Sequence, residues 1–222
     1  MSVSVGSPSV LILAAGGSTR LGHDKLLLDL GGIPMLQRTV STYTKATKVG
    51  DILLVVGPQQ KPAWQWLASL RVHVVENPDP SKGMITSVRV GLSSPWAKGK
   101  DFLLTPADIP FVKPETVDKL IVDFRTRSRD IVIPTYRGLG GHPGVYAAAL
   151  QREFFLHGDA NGTKEVLMRH RDRTLRISVP DPDVCFDVDT EADARIAMDA
   201  GARWARVEAE VEARSSQRHG PA

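Results

Sequence analysis

The sequence holds a single cysteine, Cys185, among 222 residues. An intramolecular disulfide and an all-cysteine metal site are therefore excluded. Cys185 lies between Val184 and Phe186 in a stretch that we predict to be a strand. We accordingly expect a buried structural thiol and not a nucleophile.

Long apolar runs are also missing, because no stretch approaches the roughly 18 apolar residues that a transmembrane helix needs. Residues 1–10 lack the cationic start and the long apolar core of a signal peptide. We therefore expect a cytoplasmic protein that has no membrane partner.

Aromatic residues and excess charge are scarce as well. Aromatic residues make up 6% of the chain, and 28 Lys and Arg residues face 25 Asp and Glu residues, for a net charge of +3. The basic residues are scattered without aromatic residues between them, so no nucleic-acid partner is expected. The length favours a single domain over residues 1–222, in which we expect the polar tail 215–222 to be disordered.

Apolar runs alternate with stretches of helical periodicity, which predicts an α/β fold with a doubly wound, mainly parallel sheet. Strands are expected at residues 10–13, 51–56, 72–75, 102–104 and 130–134, and helices at residues 35–46, 61–70, from 84 onward and at 114–124. The stretch 138–144 holds four glycines, so we expect a loop there. With predicted strands at 175–179 and 184–188, that loop should add a small antiparallel lobe over the sheet edge, before a last helix at 194–213.

The first predicted strand runs into a loop of small residues, which continues to Arg20 and Lys25. Loops that leave the carboxyl ends of parallel strands bind ligands in open α/β sheets. Exposed backbone N–H groups and two cations predict a triphosphate site. The dinucleotide fingerprint does not fit, and His23 stands where a phosphate loop needs lysine. A tight turn would explain the glycines of this loop but not its paired cations.

Acidic residues follow two of the predicted strands. Asp108 comes after the strand 102–104 between two prolines, which suits Mg²⁺ or, alternatively, a cap for the helix near Pro114. Alternation places Asp187 and Asp189 on one face of the strand 184–188, where they repel unless a cation lies beside them. A second metal ligand is therefore plausible there. An ordinary acidic helix N-terminus remains the alternative for the acids that follow.

The pattern Leu13-Ala14-Ala15-Gly16-x-Ser18-x-Arg20-x-Gly22-x-x-Lys25 resembles the signature of the MobA-like NTP transferases, and most of all their molybdenum cofactor cytidylyltransferase branch. The related guanylyltransferases carry Leu-Ala-Gly-Gly at this place. Three further patterns of the family match as Gly83-Met84-x-x-Ser87, Asp108-Ile109-Pro110 and Gly141-His142-Pro143. The family's Gly-Asp-x-Gly loop corresponds to Gly158-Asp159 with one residue inserted before Gly162.

The resemblance implies a Rossmann-like nucleotidyltransferase fold and a transfer of CMP from CTP to the phosphate of molybdenum-loaded molybdopterin. Pyrophosphate would leave, and Mg²⁺ would be the cofactor. The implied catalytic residues are Arg20, Lys25 and Asp108, and the implied metal ligands are Asp108 and Asp189, the latter preferred to Asp187. The implied nucleotide site comprises Leu13, Ala14, Ala15, Gly16, Gly17, Ser18, Arg20, Lys25, Gly83, Met84 and Ser87. The implied acceptor site comprises Gly141, His142, Pro143, Gly158 and Asp159.

Two other functions fit the same sequence. The acceptor of the nucleotidyl group can instead be a sugar phosphate or an isoprenoid precursor. The chain can also be a chaperone that binds the molybdenum cofactor and hands it to a molybdoenzyme, although the intact Lys25 and Asp108 argue against a lost transfer activity.

Overall fold

The computed structural model describes residues 6–16, 25–58, 67, 70, 72–156 and 162–202. Within them the strands are β1 (Ser9–Leu13), β2 (Ile52–Val56), β3 (Val72–Glu76), β4 (Phe102–Pro106), β5 (Ile131–Tyr136), β6 (Leu139–Gly140), β7 (Gly144–Tyr146) and β8 (Thr174–Ser178). The helices are α1 (Met35–Lys45), α2 (Met84–Ser93), α3 (Pro114–Thr126), α4 (Glu153–Leu156), α5 (Gly162–Arg169) and α6 (191–202). Short 3-10 turns lie at Lys25–Leu27, Pro80–Lys82, Ala148–Arg152, Arg171–Arg173 and Pro182–Cys185.

The strands form one sheet in the order β3-β2-β1-β4-β7-β5-β6, with β8 beside β5. The β3-β2-β1-β4 part is parallel, and so is the β5–β8 pair. This arrangement confirms the prediction of a mainly parallel α/β sheet.

Helices cover both faces of the sheet, as expected for strands that are apolar on both sides. In β1, Val10 and Ile12 pack with apolar residues of α1 and α3 on one face. Leu11 and Leu13 point to the opposite face and pack with residues of α2, α4 and α5. Because successive side chains of a strand alternate between faces, a continuous apolar run such as β1 serves two helical layers at once. The sheet is therefore doubly wound.

The antiparallel part of the protein lies inside this sheet and not over its edge. The glycine-rich stretch contributes β7, which pairs antiparallel with both β4 and β5. The prediction of a loop at 138–144, made from its four glycines, is therefore wrong for β7. Glycine is needed at Gly144 because a Cβ there would lie 2.8 Å from the Tyr146 ring and 2.9 Å from Ile133. The low propensity of glycine for strands is outweighed here by close packing.

The prediction of a strand at 184–188 is wrong. Residues Pro182–Cys185 form a 3-10 turn, and residues 186–189 have no regular secondary structure. The physical reason is Asp181, which is 1% exposed and accepts hydrogen bonds from Asp183 N, Lys113 N and the Thr116 hydroxyl. These contacts bend the chain and tie it to the start of α3, which has no side-chain cap of its own.

Cys185 consequently lies in a turn and is partly exposed, so the prediction of a buried thiol in a strand is also wrong. The predicted helix at 61–70 falls almost wholly outside the described residues, as do the end of the predicted last helix and the tail 215–222. In the part of the chain that is described, no helix combines the length and the apolar character needed to cross a membrane.

Candidate active site

A cavity of about 340 Å³ lies at the carboxyl ends of β1 and β4. The two strands are parallel neighbours, with Leu13 in register with Pro106, so the loops that follow them emerge side by side. Asp108 lines the cavity. So do the described residues of the predicted nucleotide site, which are Leu13, Ala14, Ala15, Gly16, Lys25, Gly83, Met84 and Ser87. Leu26, Pro80, Pro106 and Ala107 complete the wall.

One side of this cavity is held by a buried asparagine that sequence reasoning did not single out. Asn77 follows β3, is 1% exposed, and donates from Nδ2 to the hydroxyl oxygens of Thr86 and Ser87 at 2.9 Å each. Since the Ser87 oxygen accepts this bond, its own proton can be donated into the cavity. An asparagine between a strand end and a turn-rich loop is a weak signal, because such residues are common in ordinary turns.

Lys25 lies where two acidic segments converge. Its Nζ donates to Asp108 Oδ2 at 2.7 Å, to Asp189 Oδ1 at 2.8 Å and to the Val188 carbonyl at 3.1 Å. The adjacent Leu26 is 3% exposed and anchors the 3-10 turn that carries the lysine. Burial favours a lower pKa for Lys25, but the hydrogen bonds to the two carboxylates outweigh it, so the pKa of Lys25 is raised. The ammonium therefore stays charged at neutral pH.

A second cavity of about 390 Å³ adjoins the first and shares Met84, Pro106 and Asp108 with it. Its other lining residues come from the glycine-rich stretch, from the segment 184–189 and from Ile109; they are Gly140, Gly141, His142, Val184, Cys185, Asp187 and Asp189. Two of the predicted acceptor residues, Gly141 and His142, thus face the same space as Asp189. Pro143 is buried and lines neither cavity.

The glycine-rich stretch is fastened to the segment 184–189 by its backbone. Gly141 N donates to the Pro134 carbonyl at 2.9 Å, and His142 N donates to the Val184 carbonyl at 2.7 Å. A Cβ at Gly141 would overlap the Val184 carbonyl. Burial lowers the pKa of His142, and its contact with the Leu104 backbone and the charges of Asp108 and Asp187 only partly oppose this. A neutral imidazole therefore faces the second cavity.

The carboxylates of this site fit a divalent cation. Asp108 Oδ1 is buried and has no hydrogen-bond partner among the described residues, while the Asp189 side chain is 46% exposed. No three His, Cys, Asp or Glu side chains of the described ranges form a group that could hold a metal ion. Mg²⁺ nevertheless suits a site with one or two carboxylates, because it takes its remaining ligands from water and substrate phosphates.

Some of the predicted site cannot be placed. Gly17, Ser18, Arg20, Gly158 and Asp159 lie outside the described residues. Between the two candidate acids near the C-terminus, Asp189 is the one that contacts Lys25, and Asp187 lines only the second cavity. Cys185 lines the second cavity, which the sequence does not indicate, because its pattern predicts a strand with a buried thiol at this place.

A protein-family model matches most of this chain. The family described as the MobA-like NTP transferase domain matches residues 10–174, which include β2 to β7, all of β1 except Ser9, and all described residues of the first cavity. Asp187 and Asp189 lie beyond the matched range.

Other proteins are similar to this chain in sequence or in structure. A Pyrococcus furiosus protein named probable molybdenum cofactor guanylyltransferase is 26% identical over 128 residues, which are 56% of this chain and 59% of that protein. The chain therefore spans less than two thirds of this relative's length. The crystal structure of Rv0371c from Mycobacterium tuberculosis is 28% identical with a TM-score of 0.71, over 87% of this chain and 98% of that one. A complex of Rv0371c with manganese is 25% identical with a TM-score of 0.69, over 88% of this chain and 100% of that one.

Proposed function

Because the chain belongs to the family of MobA-like NTP transferase domains, we propose that it transfers CMP from CTP to the phosphate of molybdenum-loaded molybdopterin and releases pyrophosphate. The observation that carries this proposal is the meeting of two cavities at Asp108. The glycine loop and Lys25 border one cavity, and Gly141, His142 and Asp189 border the other. A donor and an acceptor can therefore meet beside one carboxylate.

The reaction needs no covalent nucleophile from the protein. An oxygen of the acceptor phosphate attacks the α-phosphorus of the triphosphate, the bond from the α-phosphorus to the bridging oxygen breaks, and pyrophosphate leaves with that oxygen. The attacking oxygen is already anionic at neutral pH, so a general base is not required. Positioning and charge neutralisation carry such a transfer. His142 is accordingly assigned to acceptor contact and not to proton transfer.

The phosphates of the donor are assigned to the loop after β1. Ala15 and Gly16 border the first cavity, and the loop continues into Gly17 and Ser18, so its backbone N–H groups are proposed to bind the phosphates. Lys25 and Arg20 would neutralise charge on the α-phosphate and on the leaving group. Asp108 and Asp189 would hold Mg²⁺, which would supply positive charge to offset that of the phosphates. The solved complex of the similar Rv0371c protein with manganese supports a divalent cation for this chain.

The choice of CTP over GTP rests on the wall of the first cavity. Ala15 lines it and is 6% exposed, at a place where the guanylyltransferases carry glycine. The alanine favours CTP by analogy with the cytidylyltransferase branch, whose pattern Leu13-Ala14-Ala15-Gly16 resembles. GTP is the second candidate, because the Pyrococcus furiosus relative is named a guanylyltransferase.

Pyrophosphate release from each of CTP, GTP, ATP and UTP tests the function, with molybdopterin, its molybdenum-loaded form, a sugar phosphate, an isoprenoid phosphate or no acceptor added. We expect release only with CTP, Mg²⁺ and a pterin acceptor. Release from GTP but from no other triphosphate would assign the chain to guanylyl transfer. Release with a sugar phosphate or an isoprenoid phosphate, but not with a pterin, would identify a different acceptor. Pterin binding without any release would favour the role of a chaperone that hands the cofactor to a molybdoenzyme.

A further inference from the structure

Lys25 connects two acids that are far apart in the sequence. Asp108 is 83 residues away and Asp189 is 164 residues away, yet both carboxylates lie within 2.8 Å of its Nζ. With the Val188 carbonyl at 3.1 Å, the ammonium has an acceptor for each of its three protons. Nothing in the sequence motif explains this contact, because the motif assigns the lysine to a phosphate.

Resting on the nucleotidyltransferase function above, we propose that Lys25 stands in for the divalent cation while the protein is free of nucleotide. Its ammonium holds Asp108 and Asp189 together, and it leaves them for the triphosphate when nucleotide and metal arrive together. The consequence is that metal without nucleotide binds weakly to this chain.

The charges of the cluster support this exchange. Two carboxylates and one ammonium leave one negative charge, so Lys25 offsets only half of the charge of the two acids. A divalent ion beside them would face the ammonium at close range, and like charges repel strongly in a partly buried site. The side chains of Lys25 and Asp108 are only 17% and 18% exposed. A triphosphate removes the conflict, since it gives the ammonium another anionic partner.

The position of Lys25 permits this movement. The lysine borders the first cavity together with Ala15 and Gly16, so its ammonium can turn toward a phosphate there. Its backbone can stay in place, because the buried Leu26 fixes the turn and the lysine stem is flexible. Asp108 Oδ1 is buried and has no partner among the described residues, so it is available to a cation once the ammonium leaves Oδ2.

The affinity of the full chain for Mn²⁺ without nucleotide tests the proposal. It is measured by titration, with free Mn²⁺ detected by its electron paramagnetic resonance signal. We expect Lys25→Met to bind Mn²⁺ at least about 10-fold more tightly than the wild type, which is about 1.4 kcal/mol. Lys98→Met is the matched control, because it removes one positive charge from an exposed turn after α2. It should bind Mn²⁺ as the wild type does. Adding Asp108→Asn to Lys25→Met should abolish the gain.

An affinity of Lys25→Met within about twofold of the wild type would overturn the proposal, and so would a gain that survives Asp108→Asn. If Lys25→Met does not fold, the ¹⁵N resonance of the Lys25 ammonium in the wild type decides. It should stay unchanged with Mg²⁺ and shift with Mg²⁺ plus a non-hydrolysable CTP analogue, and a shift with Mg²⁺ alone would contradict us. The nucleotide-free comparison of Mn²⁺ affinities is independent of transfer activity, so failure of the pyrophosphate assay would remain a separate result.

Discussion

Asn77 and Ser87 are joined by a 2.9 Å hydrogen bond from the asparagine amide to the serine hydroxyl, across the wall of the first cavity. The same amide nitrogen also holds Thr86, one residue earlier in α2. Asn77 itself lines neither cavity, so any effect it has on nucleotide binding passes through the start of this helix.

We predict that Asn77→Ala weakens CTP binding about 10-fold, because Ser87 loses the bond that orients its proton. Isothermal titration calorimetry with CTP and Mg²⁺ measures the change. Gln151→Ala is the matched control, since this buried side chain donates to the carbonyls of Ala97 and Lys100 on another part of the chain. Each of the two substitutions should lower the free energy of unfolding by about 1–3 kcal/mol, but Gln151→Ala should leave the affinity for CTP unchanged. Equal losses of affinity in both variants would contradict a positioning role for Asn77.

Gly141 should not tolerate a side chain. A methyl group at this position would overlap the Val184 carbonyl, and the backbone on both sides is fixed by hydrogen bonds. We predict that Gly141→Ala costs about 2–3 kcal/mol of stability, measured by urea denaturation. In Gly140→Ala the new methyl group would lie 3.0 Å from the end of the flexible Arg176 side chain, so a change within about 0.5 kcal/mol is expected. A loss of equal size at both glycines would contradict this account.

Lys25→Ala should slow transfer by about 30- to 1,000-fold in kcat/KM, or about 2–4 kcal/mol, comparable to the loss of one electrostatic donor to a transition state in other enzymes. Steady-state pyrophosphate release with CTP and the pterin acceptor measures it. Lys98→Ala should have near-normal turnover. Near-normal turnover of Lys25→Ala would remove the lysine from the catalytic residues.

Much of the fold follows from the sequence, since β1, β2 and β4 are apolar runs that suit burial on both faces of a parallel sheet. The meeting of the glycine loop with Asp108 follows as well, because adjacent parallel strands deliver both to one edge. The segment 184–189 could not be predicted in this way. Its apolar residues suggested a strand, but the turn depends on the contact of Asp181 with the start of α3, some 65 residues earlier in the chain. The contact of Lys25 with Asp189 depends in turn on the placement of that segment.

Asp183 should make stability fall as the pH rises. Burial, and then the nearby Asp181 carboxylate, raise the pKa of Asp183 from its usual 3.8 to about 6, although Lys113 partly opposes this. Between pH 3.8 and about 6 the folded protein binds more protons at Asp183 than the unfolded chain does. The free energy of unfolding therefore falls as the pH rises through this range. Asp183→Asn should therefore be more stable than the wild type at pH 7.5, by about 1 kcal/mol given its partial exposure, and equally stable near pH 4.

Asp51 provides the control with the opposite sign. Its hydrogen bond from Lys100, followed by that with His73, lowers the pKa of Asp51 despite partial burial. Its contribution is thus present at neutral pH and lost as the pH falls through the lowered pKa. Urea denaturation of the wild type, Asp183→Asn and Asp51→Asn at several pH values measures both. Asp51→Asn should be less stable than the wild type at pH 7.5, with the difference shrinking toward low pH. A parallel pH dependence of the two variants would show that neither carboxylate acts through the contacts described.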